Sequence, residues 1–344
     1  MNKAQKEVLR VQLNDEQKTI KQLKQVYEQA KKDCEAKIAT LNMRTDMQNL
    51  QSIIFQKRYQ EVLKRQINDI LDTLQNDEFN SIADYLVQSY ENGFIGTMYD
   101  LQGQGVPLIF PIEQSQVVQA LQTDTKLSQG LYSRLGEDTD YLKRSIQAEL
   151  SRGIANGSTW LELSTYIANG MNSPFKKAMN NAIRIARTEG HRIQNQAQMD
   201  TIFKAKEKGA DVVKQWDSTL DSRTRDAHRE ADGQIREAEE PFDVGGEKMQ
   251  APGIGGSAKN VCHCRCCMLQ RARWTLDVET TRNLGRAQLM TDEQLEPIAS
   301  KLNISVDELR KYSDQIIPVK AKNYEDFRRQ YEKIWNYEVV DRVN

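Results

Sequence analysis

Glycine and proline are absent from the first 92 residues, which are rich in Lys, Glu, Gln and Leu. Without those two residues the segment has few ways to turn, and long helices are the economical reading. No apolar run approaches the ~18 residues that a membrane helix requires, so no membrane partner is expected. Met1 to Arg10 holds no apolar stretch of the kind a secretory signal needs. Charge of one sign is also missing in bulk: Lys and Arg number 48 against 49 Asp and Glu, a formal net charge of −1. That balance excludes an overall electrostatic footprint for nucleic acid and leaves room only for a local basic patch. Cysteine is scarce at five residues, with Cys34 alone and four crowded between Cys262 and Cys267. Neighbours such as Cys266 and Cys267 rarely bridge each other, so reduced thiols, with metal binding open to them, are preferred to a disulfide framework.

The 344 residues suggest two or three folding units at ~100–200 residues each, in a mainly α protein. Residues 1–92 read as a long helical arm, coiled-coil-like, with Leu13, Ile20, Leu23, Tyr27, Ala30, Cys34 and Leu41 along one seam. Gly93, Gly96, Gly103, Gly105, Pro107 and Pro111 mark a break. Residues 93–208 then read as a helical bundle, including a short helix from Trp160 that stops near Gly170 and Pro174 and a longer one from Phe175 to about Lys208. Glu189 lies inside the apolar stripe of that last helix. A carboxylate there calls for a cation or donors, and Arg187, Arg192, Arg225 and Arg265 are the candidates.

Residues 209–270 read as a small α+β module. Val212, Lys214 and Trp216 alternate as on one face of a strand, and Asp221 is placed to cap a helix carrying Arg225 and His228 on one face. If extended, Cys262, Cys264 and Cys266 point one way, with His263, Arg265 and Cys267 the other. Residues 271–344 return to helices: a pair between Thr291 and Tyr312, then the aromatic stripe Tyr324, Phe327, Tyr331, Trp335 and Tyr337. The stripe reads first as core and second as a partner-binding face.

The ordered set Ala186, Arg187, Thr188, Glu189, Arg192, Asn195, Gly209, Trp216, Asp221, Arg223, Thr224, Arg225, His228, Asp232, Gly233, Gln234, Phe242, Pro252, Cys264, Arg265 and Cys266 resembles the phage Mu F-like, or minor head protein, family of tailed bacteriophages. The resemblance spans about residues 90 to 268. Family members usually place Asn directly before Cys-Arg-Cys, where this chain has His263 and carries Asn260 further back. Some members carry cysteines where this chain has Arg225 and His228. The resemblance implies a minor capsid component inside the head near the portal vertex, present in the host cytoplasm during assembly. Its implied partners are the portal protein, other head or scaffold proteins, and double-stranded DNA.

Three readings of the cluster stand side by side. A structural Zn2+ would be held by His228, Cys264 and Cys266, with Cys262 or Asp221 as fourth ligand. Alternatively the cysteines are packed thiols, and Glu189, Arg225, Arg265 and Asp221 form a buried ion-pair network with His228 as donor. The third is a zinc-dependent enzyme acting on nucleic acid or another macromolecule, which requires an open coordination position and a base such as Glu189 or Asp221.

Overall fold

The computed structural model describes residues 1–42, 53–106, 108–122, 131–155, 160–276, 296, 300, 305–307 and 321–335. The protein is mainly α, and among the described residues its small antiparallel sheets are confined to the segment after residue 211. The helices that dominate it are α1 (Lys3–Asn42), α2 (Ile53–Gly103), α3 (Gln114–Gln122), α4 (Leu131–Ala155) and α5 (Trp160–Glu207). Two compact units emerge. One comprises Met1–Glu16, Tyr85–Thr123 and Arg187–Asn344, and the other Gln17–Asp84 and Asp124–Ala186.

The second unit is helical, and its core follows from heptad-like spacing. Ile20, Leu23, Tyr27, Ala30, Cys34 and Ile38 of α1 are buried, as are Leu63, Ile67, Leu71, Leu74 and Ile82 of α2. α4 adds Leu135, Leu142 and Ile146, and α5 adds Ile167, Met171, Phe175, Ala178 and Ala182. A polar pair interrupts this core: fully buried Glu78 accepts a 2.5 Å hydrogen bond from the Tyr27 hydroxyl. Burial pushes the Glu78 carboxyl up to about 8, because an anion there has lost its water. The expected stop near Pro174 does not occur, since Pro174 lies inside α5.

In the other unit, Gly93 and Gly96 lie inside α2 instead of breaking it. Their role is close approach. A Cβ at Gly93 would collide with the Gln194 carbonyl of α5, and one at Gly96 would meet Val8 of α1. The α1 seam also differs from the apolar one expected. Leu13 is exposed, while Gln5, Gln12 and Asp15 are buried. Gln12 donates to the Tyr85 and Ser89 hydroxyl oxygens at 3.0 and 2.8 Å. Asp100 is buried completely and accepts from the side-chain amides of Asn2, Gln5, Gln104 and Gln270 at 2.6 to 2.8 Å.

The α+β module belongs to this unit. β1 (Val212–Asp217) is the middle strand of an antiparallel sheet between β2 (Ile235–Arg236) and β5 (Cys267–Ala272). The β1–β5 register sets Val212 against Ala272, Trp216 against Met268 and Asp217 against Cys267. Between them come α6 (Asp226–Ala231), the hairpin β3 (Phe242–Val244) and β4 (Glu247–Met249), and α7 (Ala258–Val261). Gly245 and Gly246 turn that hairpin at φ 59° and 84°, the left-handed pair that two-residue turns favour. On the inner face Trp216 meets Phe242 edge-on at 5.4 Å between ring centres.

Three members of the C-terminal aromatic stripe are core, while Trp335 is exposed. In α8 (Tyr324–Trp335), Tyr324, Phe327 and Tyr331 are buried. The Tyr331 hydroxyl donates to the Phe110 carbonyl at 2.8 Å, and Arg328 pairs with Glu91 at 2.8 Å. Tyr337 and most of the helix pair read between Thr291 and Tyr312 fall outside the described residues.

Candidate metal centre

The centre forms where β1 ends and β5 begins. Trp216 Nε1 donates to Ser218 Oγ at 2.9 Å, and Ser218 Oγ donates to the His228 carbonyl at 2.5 Å. Asp232 Oδ1 takes the Ser218 amide at 2.7 Å. These ties fold α6 back over β1, so that His228 sits edge-on to Trp216 at 5.7 Å and is 1% exposed. Its Nδ1 then lies 3.2 Å from Cys266 Sγ and 3.6 Å from Cys264 Sγ.

The donor atoms of His228, Cys264 and Cys266 all fall within 4.8 Å of one another, and all three residues are buried. In a tetrahedral zinc site, bond lengths of ~2.05 Å to nitrogen and ~2.3 Å to sulfur place N and S about 3.6 Å apart. The observed N···S separations fit that edge, so the cluster could hold a metal. Electrostatics point the same way. Hydrogen bonding with Cys264, then with His228 and Ser218, pulls the Cys266 thiol below its ordinary range, while the proton shared between the sulfurs pushes Cys264 above it. Two thiols contending for one proton in a buried site are an arrangement that a cation relieves.

The fourth ligand suggested by the sequence is not brought in. Cys262 is outside the cluster of mutually close donors; it caps the end of α7, and its carbonyl accepts from Arg225 at 2.5 Å. The backbone gives the reason. His263 adopts φ 56°, and a left-handed residue between Cys262 and Cys264 breaks the alternation that would have aligned them. Asp221 is likewise committed elsewhere. Both of its oxygens take Arg265, at 2.6 and 2.7 Å, and its carboxyl is held well below the usual range chiefly by those bonds. Nor does Asp221 cap α6 as expected, since Arg225 occupies the N-cap and the helix starts at Asp226. Asp221 Oδ1 accepts from the Arg223 amide at 2.9 Å and organises the turn before the helix.

The ion-pair network expected of Glu189, Arg225, Arg265 and Asp221 divides. Asp221 joins Arg265, Arg225 turns to the Cys262 carbonyl, and Glu189 receives Arg192 at 2.8 Å. Arg192 continues to the Ala120 carbonyl of α3 at 3.2 Å. The helical position three residues on thus supplied the cation, as i,i+3 geometry allows.

Other determinants were not foreseen. Lys214 is fully buried on β1; its ammonium donates to the Gln250 carbonyl at 2.8 Å and lies 5.1 Å from the Phe242 ring centre. Burial draws its ammonium down to about 8. Asn195 of α5 donates to the Pro252 carbonyl at 3.0 Å and accepts from the Met268 amide at 3.3 Å, which ties α5 to β5. Strand alternation put Lys214 on the Trp216 face. Nothing local in the sequence identified its acceptor, 36 residues on.

Residues 144–269 match the family described as Phage Mu protein F like protein. This chain therefore carries a Mu F-like stretch over little more than a third of its length. The cluster at His228, Cys264 and Cys266 lies wholly inside the matched stretch. The Minor head protein GP7 of Bacillus phage SPP1 is 28% identical over 212 residues, which cover 61% of this chain and 62% of that protein. The NAD(+)--arginine ADP-ribosyltransferase EFV of Enterococcus faecalis (strain ATCC 700802 / V583) is 28% identical over 275 residues, 78% of this chain and 55% of the enzyme. The chain therefore spans little more than half the length of these curated relatives. No solved structure matches it. The family's usual asparagine before Cys-Arg-Cys now has a physical account: the position is left-handed, and asparagine tolerates that region better than most residues. Here His263 occupies it.

Proposed function

We propose that this Mu F-like chain is a minor component of a phage head, acting in head assembly at the portal vertex and touching packaged DNA. Its Cys/His cluster acts as a structural staple for the module and takes zinc. One observation carries the staple reading: the donors are enclosed, with His228 1%, Cys266 3% and Cys264 8% exposed. A catalytic zinc keeps an accessible position for water and substrate, whereas structural sites are closed. Bound there, the metal would contribute folding energy to a module built of short strands and short helices. His228 would bind through Nδ1 and the two cysteines as thiolates. Trp216 and Ser218 position the ring and the His228 backbone.

The transferase relative raises a second reading, that this chain modifies arginine with NAD. The region shared with that enzyme covers 55% of it, and the head protein is matched over 62% of its own length. We place the transferase activity in the part of that enzyme outside the match. Incubating the full chain with labelled NAD and an arginine-rich acceptor protein should transfer no label; stoichiometric labelling would revive the enzyme.

The assembly reading is tested by co-expressing the chain with the head genes of its own phage and purifying the heads. The chain should co-sediment with heads and be lost when the portal gene is omitted. Heads that form normally and never contain it would refute the reading.

A further inference from the structure

Beside the Cys/His cluster, Arg223, Arg225, Arg265, His228, His263 and Cys266 help line a small polar depression. Its charges are unevenly matched. Asp221 takes both terminal nitrogens of Arg265 and stands 3.8 Å from Arg223. Among the described residues Asp221 is the carboxylate paired with either, and none pairs with Arg225. The guanidinium of Arg225 is held in place by the Cys262 carbonyl, a neutral acceptor that leaves its charge uncompensated.

A second observation concerns the wall. The Nδ1 atom of His228 faces the two sulfurs, and its other ring nitrogen, Nε2, is buried with no hydrogen-bond partner among the described residues. A buried imidazole that turns one nitrogen to thiolates ordinarily gives the other an acceptor. His263 on the rim holds a left-handed backbone, a strained conformation that persists where surrounding contacts demand it.

We propose that this depression is an oxyanion site that takes one phosphate group. Planar guanidiniums match the tetrahedral oxygens of phosphate and bind them through paired hydrogen bonds. Three guanidiniums line the depression and one carboxylate pairs with two of them, which leaves the notch net positive. The phosphate comes from a nucleic-acid backbone or from free phosphate, and the chemistry at the notch is the same. The proposal deepens the DNA contact suggested above, and only its nucleic-acid arm rests on that reading.

The test uses the full chain and two probes: inorganic phosphate by calorimetric titration, and a fluorescent DNA duplex by anisotropy across a range of salt. Arg225→Ala should weaken phosphate binding at least tenfold. Arg223→Ala, whose side chain is largely exposed and anchors no backbone, should weaken it severalfold without changing thermal stability. The double variant should lower the slope of log affinity against log salt for the duplex by about 1, the value for one lost phosphate contact. An Arg236→Ala, Lys248→Ala control should change neither. Loss of both probes' binding in the variants supports a backbone phosphate; loss of phosphate binding with no duplex binding supports free phosphate. Variants that bind both probes as the parent does, a parent that binds neither, or competition by polyglutamate and not by phosphate would overturn the site. A chain absent from heads but intact in phosphate binding would instead defeat the assembly reading alone.

Discussion

The helical unit of Gln17–Asp84 and Asp124–Ala186 and the α+β module hold their shape by different means. In the first, apolar side chains recur every three or four residues and fill the core, with Tyr27 and Glu78 as a polar inclusion. In the second, strands of two to six residues and one-turn helices are tied by named side chains: Ser218, Asp221, Asn195, Lys214 and the Cys/His cluster. Periodic packing distributes stability over many weak contacts, so single losses are tolerated. Tethering concentrates it, and single losses should be severe and local.

The sharpest way to break the contrast is to remove the tether. Cys264→Ala should cost the module on the order of 5 kcal/mol when metal is bound. Hydrogen exchange should show β1 and β5 losing protection while the helices of the other unit keep theirs. Uniform loss throughout the chain would erase the distinction.

The helical unit offers a change of opposite sign. Glu78 is ionised in the unfolded chain above about pH 4.5 and stays protonated in the fold until about pH 8. Unfolding between those values releases a proton, so this group lowers stability as pH rises through the window. Glu78→Gln keeps an acceptor for Tyr27 and should stabilise the unit by ~2–3 kcal/mol near pH 7 and by little at pH 4. Denaturant midpoints measured at both pH values decide it, and a constant difference would contradict the burial argument.

Two smaller changes test local geometry. Gly190→Ala would drive a methyl into the Tyr85 ring and should cost ~1–3 kcal/mol, the usual range for overpacking. His263→Asn relieves a left-handed histidine and should raise stability by up to ~1 kcal/mol. A loss on His263→Asn would mean that the imidazole's contacts outweigh the strain. Thermal melts resolve both.

These differences also explain what could be read from the sequence. Helices α1 and α2 were legible because a segment without glycine or proline and with a heptad seam has few alternatives. Gly93 and Pro174 were misread as breaks, since a glycine chosen for close packing looks the same as one chosen for a turn. Strand β1, its buried Trp216, and the grouping of His228 with Cys264 and Cys266 were visible in residue type and spacing. The exclusion of Cys262 was not, because it hangs on one backbone angle at His263. Nor was the division of the acidic and basic residues into separate pairs, since charge type does not say which partner lies within reach.

The central claim is that the three buried donors of the module hold a metal. Its most direct test is elemental analysis of the full chain purified without added metal, alongside the His228→Ala, Cys264→Ala variant. About one zinc per chain, absent from the variant and accompanied in the parent by a melting temperature that falls on chelation, is the predicted result. Metal-free protein whose stability ignores both added zinc and chelator would contradict it.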